Sequence, residues 1–202
     1  TPQITPPGAT SLNQPGGYYN VTVEATNTAG TTGSADASTL EGLKFYVEER
    51  VAPVITILSP SDGAYVSNNQ QPVVFTVTDE SGGSGVDLDS VVVKLDGTAV
   101  SAAEVTHTAI TNGYSFTYTP SAAMGDGAHT VSVEAADNDG NAAAAKSTTF
   151  TVDTVPPALN VTSPAEGLVT ATAALAVSGT TNGATSSPVV ITVTLNSADQ
   201  GP

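Results

Sequence analysis

Gly17-Tyr-Tyr-Asn-Val-Thr-Val-Glu-Ala-Thr-Asn-Thr-Ala-Gly30 and Gly127-Ala-His-Thr-Val-Ser-Val-Glu-Ala-Ala-Asp-Asn-Asp-Gly140 are two copies of one stretch, 110 positions apart. Both keep Val-x-Val-Glu-Ala, the period-two alternation of a strand with one buried face, and both run into an Asn- or Asp-containing turn closed by Gly. The match continues outward. Phe45-Tyr-Val-Glu48 corresponds to Phe150-Thr-Val-Asp153, and Ala52-Pro-Val-Ile-Thr-Ile-Leu-Ser-Pro-Ser-Asp-Gly63 to Pro156-Pro-Ala-Leu-Asn-Val-Thr-Ser-Pro-Ala-Glu-Gly167. An internal repeat of about a hundred residues decides the architecture before any single motif does.

That period is the size of one immunoglobulin-type sandwich. Residues 52–156 hold one complete copy, and short β-branched runs separated by turns predict its strands at 54–58, 73–78, 91–95, 104–110, 114–119, 129–135 and 147–152. Tyr114, Phe116 and Tyr118 fall on one face of their strand, as do Val131 and Val133 on theirs, which predicts core packing. No long window carries a helical period. The fold class expected is therefore all-β: tandem immunoglobulin-like β-sandwiches, one complete module flanked by two complementary half-modules. Residues 1–51 supply the later strands of a module and 157–202 the early ones. Two arrangements follow: one repeat unit of a longer array, or chains that complete each other head to tail.

Composition narrows the function. Nineteen acidic residues against four basic ones give a net charge of −15, which opposes binding to nucleic acid or to an anionic membrane. The chain has no cysteine, so disulfides and thiolate metal sites are excluded. Its longest apolar runs, such as Ala142 to Ala145, are too short to span a bilayer as a helix. An acidic, lysine-poor, cysteine-free repeat suits an interior piece of an exported protein, with an extracellular or cell-surface location.

Four motifs carry a family resemblance: Val152-Asp-Thr-Val-Pro-Pro157; the turns Ser59-Pro-Ser-Asp-Gly63 and Ser163-Pro-Ala-Glu-Gly167; Asp79-Glu-Ser-Gly-Gly-Ser-Gly-Val86; and Ala135-Ala-Asp-Asn-Asp-Gly-Asn141. The chain resembles the bacterial Ig-like repeats of large surface adhesins and exported filamentous proteins. Departures are an extra glycine at Gly82-Gly83 and, in the first copy, a linker with one proline, Val47-Glu-Glu-Arg-Val-Ala-Pro53, and a turn without acids, Thr26-Asn-Thr-Ala-Gly30. The resemblance implies a structural spacer, adhesin stalk or filament whose partners are neighbouring copies of itself. The alternatives are a module gripping a surface glycan or protein, and an accessory sandwich on a secreted hydrolase.

Calcium is the one cofactor that the residues suggest. It takes six to eight oxygen ligands, which short acidic, glycine-containing loops supply. The loops after the second and sixth strands of such a sandwich meet at the pole where the module begins. This would gather Asp79, Glu80 and Asp87 from one loop, Asp137, Asn138, Asp139 and Asn141 from the other, and Glu48 and Glu49 from the linker. The competing reading is an ordinary solvated acidic turn. The junction after residue 153 lacks such acids, so at most one strong cation site is expected per repeat unit. Catalysis finds no footing, since His107 and His129 lie on different strands with no motif tying either to a nucleophile. No enzyme is expected.

Overall fold

The computed structural model describes residues 18–35, 44–46, 49–172, 174–182 and 188–193. Before the central sandwich come four short strands, β1 (Tyr18–Asn20), β2 (Val23–Thr26), β3 (Thr32–Ala35) and β4 (Lys44–Tyr46). The sandwich itself runs through β5 (Val54–Ser59), β6 (Ala64–Val66), β7 (Val73–Thr78), β8 (Val86–Leu95), β9 (Thr98–Ala99), β10 (Val105–Ile110), β11 (Gly113–Tyr118), β12 (Gly127–Asp137) and β13 (Lys146–Val152). After it come β14 (Leu159–Ser163) and β15 (Ser178–Thr181). One 3-10 turn, Ala102–Glu104 capped by Ser101, is the single helical element among the described residues.

Alternation in sequence becomes alternation in burial. Along β7 every second residue is buried, so Val73, Phe75 and Val77 point inward while Val74, Thr76 and Thr78 face partly outward. β7 lies in a four-stranded sheet of order β10-β11-β7-β5, and β12 in a five-stranded sheet of order β6-β13-β12-β8-β9. Neighbours are antiparallel except β6, which joins β13 in parallel. Between the sheets, Ile55, Val73, Phe75, Val77, Phe116 and Tyr118 meet Val86, Val93, Val131, Val133, Phe150 and Val152. Phe75 and Phe116 stack with ring centres 5.0 Å apart and planes within 6°. The aromatic run of β11 packs as its alternation predicts, with Phe116 and Tyr118 in the core and Tyr114 half-buried against it.

Asp96 and Gly97 both take positive φ, 49° and 82°, the tight hairpin turn for which Asp-Gly is suited. Most expected boundaries shift by a residue or two, and β6 and β9 are strands that the sequence pattern does not predict. The largest shift is in the third strand, expected at 91–95: β8 starts at Val86 and pairs Asp87 with Ala136 and Val86 with Asp137. Its first half breaks the apolar pattern with Asp87 and Asp89, and the long partner strand β12 imposes pairing there regardless.

Candidate functional site

The acidic pole is built from three chain segments: the linker at Glu49, the loop Asp79–Gly85 that follows β7, and the loop Asp137–Asn141 that follows β12. Each loop closes on its own leading aspartate. The Asp79 carboxylate accepts the Glu80 N–H at 3.0 Å and the Gly85 N–H at 2.7 Å. The Asp137 carboxylate accepts the N–H groups of Asp139 (3.0 Å) and Asn141 (2.8 Å) and the Asn141 side-chain amide (2.7 Å). Short polar side chains that fold back on backbone N–H groups are the normal means of fixing such loops.

The segments are then tied together. Asn138 donates its side-chain amide to the carbonyls of Ser84 and Gly85, at 2.8 and 2.9 Å. Asp139 donates its N–H to the Ser84 hydroxyl at 3.1 Å. The linker is held on both sides of its backbone: the Glu49 N–H donates to Asp139 Oδ2 at 2.9 Å, and the Glu49 carbonyl accepts from Asn141 Nδ2 at 3.0 Å. The Glu49 carboxylate accepts the Val51 N–H and, at 3.5 Å, that of Ser84. Glu49 and Asp137 are each only 1% exposed.

Within this cage Glu49, Asp79 and Glu80 each bring a carboxylate oxygen to within 4.8 Å of the others. Both Glu80 oxygens are shut off from solvent and lack a hydrogen-bond donor. Burial, and after it the neighbouring Asp79 carboxylate, push the Glu80 carboxyl up to about 7. Burial also raises Glu49, with Asp137 adding to the effect. Burial would raise Asp137 as well, but its bonds from the Asn141 side chain and backbone outweigh it and hold that carboxyl below the usual range. Three acid groups in mutual reach, one of them orphaned, form a pocket suited to a hard cation with oxygen ligands.

Of the sequence-predicted ligands, Glu49, Asp79 and Glu80 come together, with Asp137, Asp139 and Asn141 bracing them. Asp87 does not join: it sits in the β8 ladder, and its carboxylate accepts the Asp89 N–H at 3.0 Å. Glu48 lies outside the described residues. Sequence reading missed two contributors. Ser84 ties both loops and the linker. Gly83 leaves the space that the carboxylates occupy, since a Cβ there would lie 2.6 Å from Asp79 Oδ2 and 3.0 Å from Glu80 Cδ. The doubled glycine was the available signal.

The opposite pole is held differently. Asp126 Oδ1 accepts the Thr154 N–H at 3.0 Å and the Thr154 hydroxyl at 2.8 Å, and Asp153 accepts the Val155 N–H at 3.2 Å. Near it, His129 bridges Asp96 Oδ2 and the Gly125 carbonyl, both at 2.8 Å.

Two sheets, antiparallel but for the β6–β13 pair, closed over one apolar layer with connecting loops at the poles, have the form of an immunoglobulin-like sandwich. The model of the bacterial Ig-like domain matches residues 52–154, just over half of the chain, and the protein belongs to that family. Among solved structures it is similar to CopC from Methylosinus trichosporium OB3b, at 18% identity and a TM-score of 0.35, covering 50% of this chain and 93% of that one. It is also similar to the fibronectin(III)-like modules of Clostridium thermocellum CbhA, at 21% identity and a TM-score of 0.35, covering 67% of this chain and 62% of that one. None of the curated proteins searched matches. Among the described residues no helix is long and apolar enough to cross a membrane.

Proposed function

We propose that the chain is a structural spacer of an extracellular surface or filamentous protein, without catalytic activity of its own, in which calcium stiffens the junction where the central module receives its linker. The observation that carries this is Glu80, whose two carboxylate oxygens are buried without a donor beside Asp79 and Glu49. A buried carboxylate with no partner is costly, and a divalent cation relieves it directly. Glu49, Asp79 and Glu80 supply ligands, while Asp137, Asp139 and Asn141 fix the linker and the far loop around them. Because Glu49 belongs to the linker and the other two to the module, one ion shared among them locks the angle between successive segments.

Mechanical continuity fits the same picture. The linker enters at one pole through Glu49 and the chain leaves at the other through Asp153 and Thr154, so load passes along the sandwich from end to end. Isothermal titration of the full chain with calcium, repeated on Glu80→Gln, tests the site. The expected result is one strong binding event in the parent and its loss in the variant. No heat and no rise in melting temperature at millimolar calcium would overturn it.

A further inference from the structure

The flank of the central sandwich where β8 and β9 approach β10 is built irregularly. Between the pairs Val92↔Glu134 and Asp87↔Ala136, residues 88–91 of β8 stand against Ala135 alone on β12. Ser90 holds this bulge: its hydroxyl donates to the Asp87 carbonyl at 2.6 Å and reaches the Ala136 carbonyl at 3.1 Å, and it accepts the Ala136 N–H at 2.8 Å. On its other edge β8 has only β9, which pairs with Lys94 and Leu95. The chain leaves that edge where Val100 donates its N–H to the Val93 carbonyl at 2.9 Å. Among the described residues no further strand continues along β8.

The consequence falls on β10. Val105, His107 and Ala109 pair with Tyr118, Phe116 and Tyr114, so these residues share the inner face of their sheet. Phe116 and Tyr118 are buried, yet His107 and Ala109 are exposed, since β9, the last strand of the facing sheet, is only two residues long. The uncovered inner face and the β8 edge enclose a cleft of about 470 Å³, within the size range of small-molecule sites. Val93 and Phe116 are its buried floor, Val100 and Val105 its half-buried walls, and Asp89 and His107 its exposed rim. The Asp89 carboxylate has no donor or ion-pair partner among the described residues. The His107 ring packs only on other rings, 5.4 Å from Tyr114 and 5.7 Å from Phe116 between centres.

We propose that this cleft binds a compact amine with an aromatic or branched apolar body, the body resting on Val93, Val105 and Phe116 and the ammonium group at Asp89. The enclosed part is apolar, so it takes the body of the ligand out of water. The rim offers an unpaired carboxylate on a chain of net charge −15, which attracts a cationic head and repels an anionic one. An added strand is a poor occupant, because the bulge at 88–91 breaks the ladder and Asp87 and Asp89 sit along that edge. The walls come wholly from residues 88–116, inside the central module, so the cleft depends neither on the acidic pole nor on the strand pairs to either side. It goes beyond the spacer reading and does not need it.

Tryptamine and indole-3-acetate share a ring and carry opposite charges, and an amide NMR titration of the full chain with each of them tests the proposal. Tryptamine gives saturable shifts at Val93, Val100, Val105 and His107, half-complete below about 1 mM, and indole-3-acetate binds at least about tenfold more weakly. Asp89→Asn, at an exposed position, removes that difference. Ala99→Trp sets a large ring into the cleft from the exposed strand β9 and abolishes both titrations. An unchanged melting temperature checks that the sandwich is intact; where Ala99→Trp moves it, Asp89→Asn decides alone. Tryptamine shifts that are absent at millimolar concentration, that spread over the acidic surface instead of the cleft, or that keep their advantage over indole-3-acetate in Asp89→Asn would overturn the proposal. The titration gives the same result in calcium and in EDTA, so a silent calcium titration sinks the metal site alone.

Discussion

Glu80→Gln, followed as a function of pH with and without calcium, probes the acidic pole most directly. Glu80 has its carboxyl raised from 4.5 to about 7 in the fold, so the folded state holds a proton that the unfolded state has released. Stability from this group is therefore complete below about pH 4.5 and is lost as pH rises through about 7. At about 1.4 kcal/mol per pH unit, the metal-free protein loses roughly 3 kcal/mol between pH 4.5 and pH 8 from Glu80. Glu49, raised in the same direction, steepens the loss. Calcium at a hundredfold excess over its dissociation constant returns about 2.7 kcal/mol. The amide of Glu80→Gln carries no charge, so the variant in EDTA at pH 8 melts above the parent, by about 10–20 °C for a module of this size. It gains little from calcium. Thermal denaturation by circular dichroism at pH 5 and pH 8, in calcium or EDTA, gives the four comparisons needed. A variant no more stable than the parent in EDTA at pH 8, or one stabilised by calcium as much as the parent, would refute the reasoning.

Gly83→Ala drives a Cβ to 2.6 Å from Asp79 Oδ2, so calcium affinity falls at least about tenfold while the sandwich still melts cooperatively; titration calorimetry with a melting curve separates the two. His129 has an acceptor on each ring nitrogen. Burial would lower its pKa, but the Gly125 carbonyl and Asp96 raise it above the ordinary value. Asp96→Asn brings it back down in an NMR titration. The stability that His129 contributes, present below about pH 6.5, is lost as pH rises through its folded pKa, and calcium does not restore it. Phe75→Ala empties the stacked pair with Phe116 and costs about 3–5 kcal/mol, read from urea denaturation.

The parts legible in sequence were those set by local alternation and turn chemistry. Val73, Phe75 and Val77 declare an inner face without help from the fold, and Asp96-Gly97 declares its turn. The repeat went further, since aligned residues such as Ile57 and Val161 take equivalent partners in equivalent registers. Asp87 was misread because its neighbourhood looks like a loop; only the reach of β12, which extends to Asp137, makes it a strand residue. Ser84 and Gly83 were missed for a related reason. A serine hydroxyl that joins two loops and a glycine that makes room for two carboxylates depend on how segments distant in sequence approach, and composition does not encode that distance.

The two poles solve one mechanical problem with different chemistry. At the exit, Asp126 pins Thr154 through two neutral donors on a single oxygen. At the entrance the bonds from Asp139 and Asn141 already hold the Glu49 backbone, yet carboxylates are added until one of them has no donor. Those bonds already fix the linker backbone, so the surplus charge at the entrance is not needed to position it. On the proposed function, that charge destabilises the pole above neutral pH until calcium binds, so the stability of the junction, and not the path of its linker, follows the ion. The exit bonds involve no such cluster: the Thr154 donors carry no charge, and among the described residues no buried acid lies against the exposed Asp126.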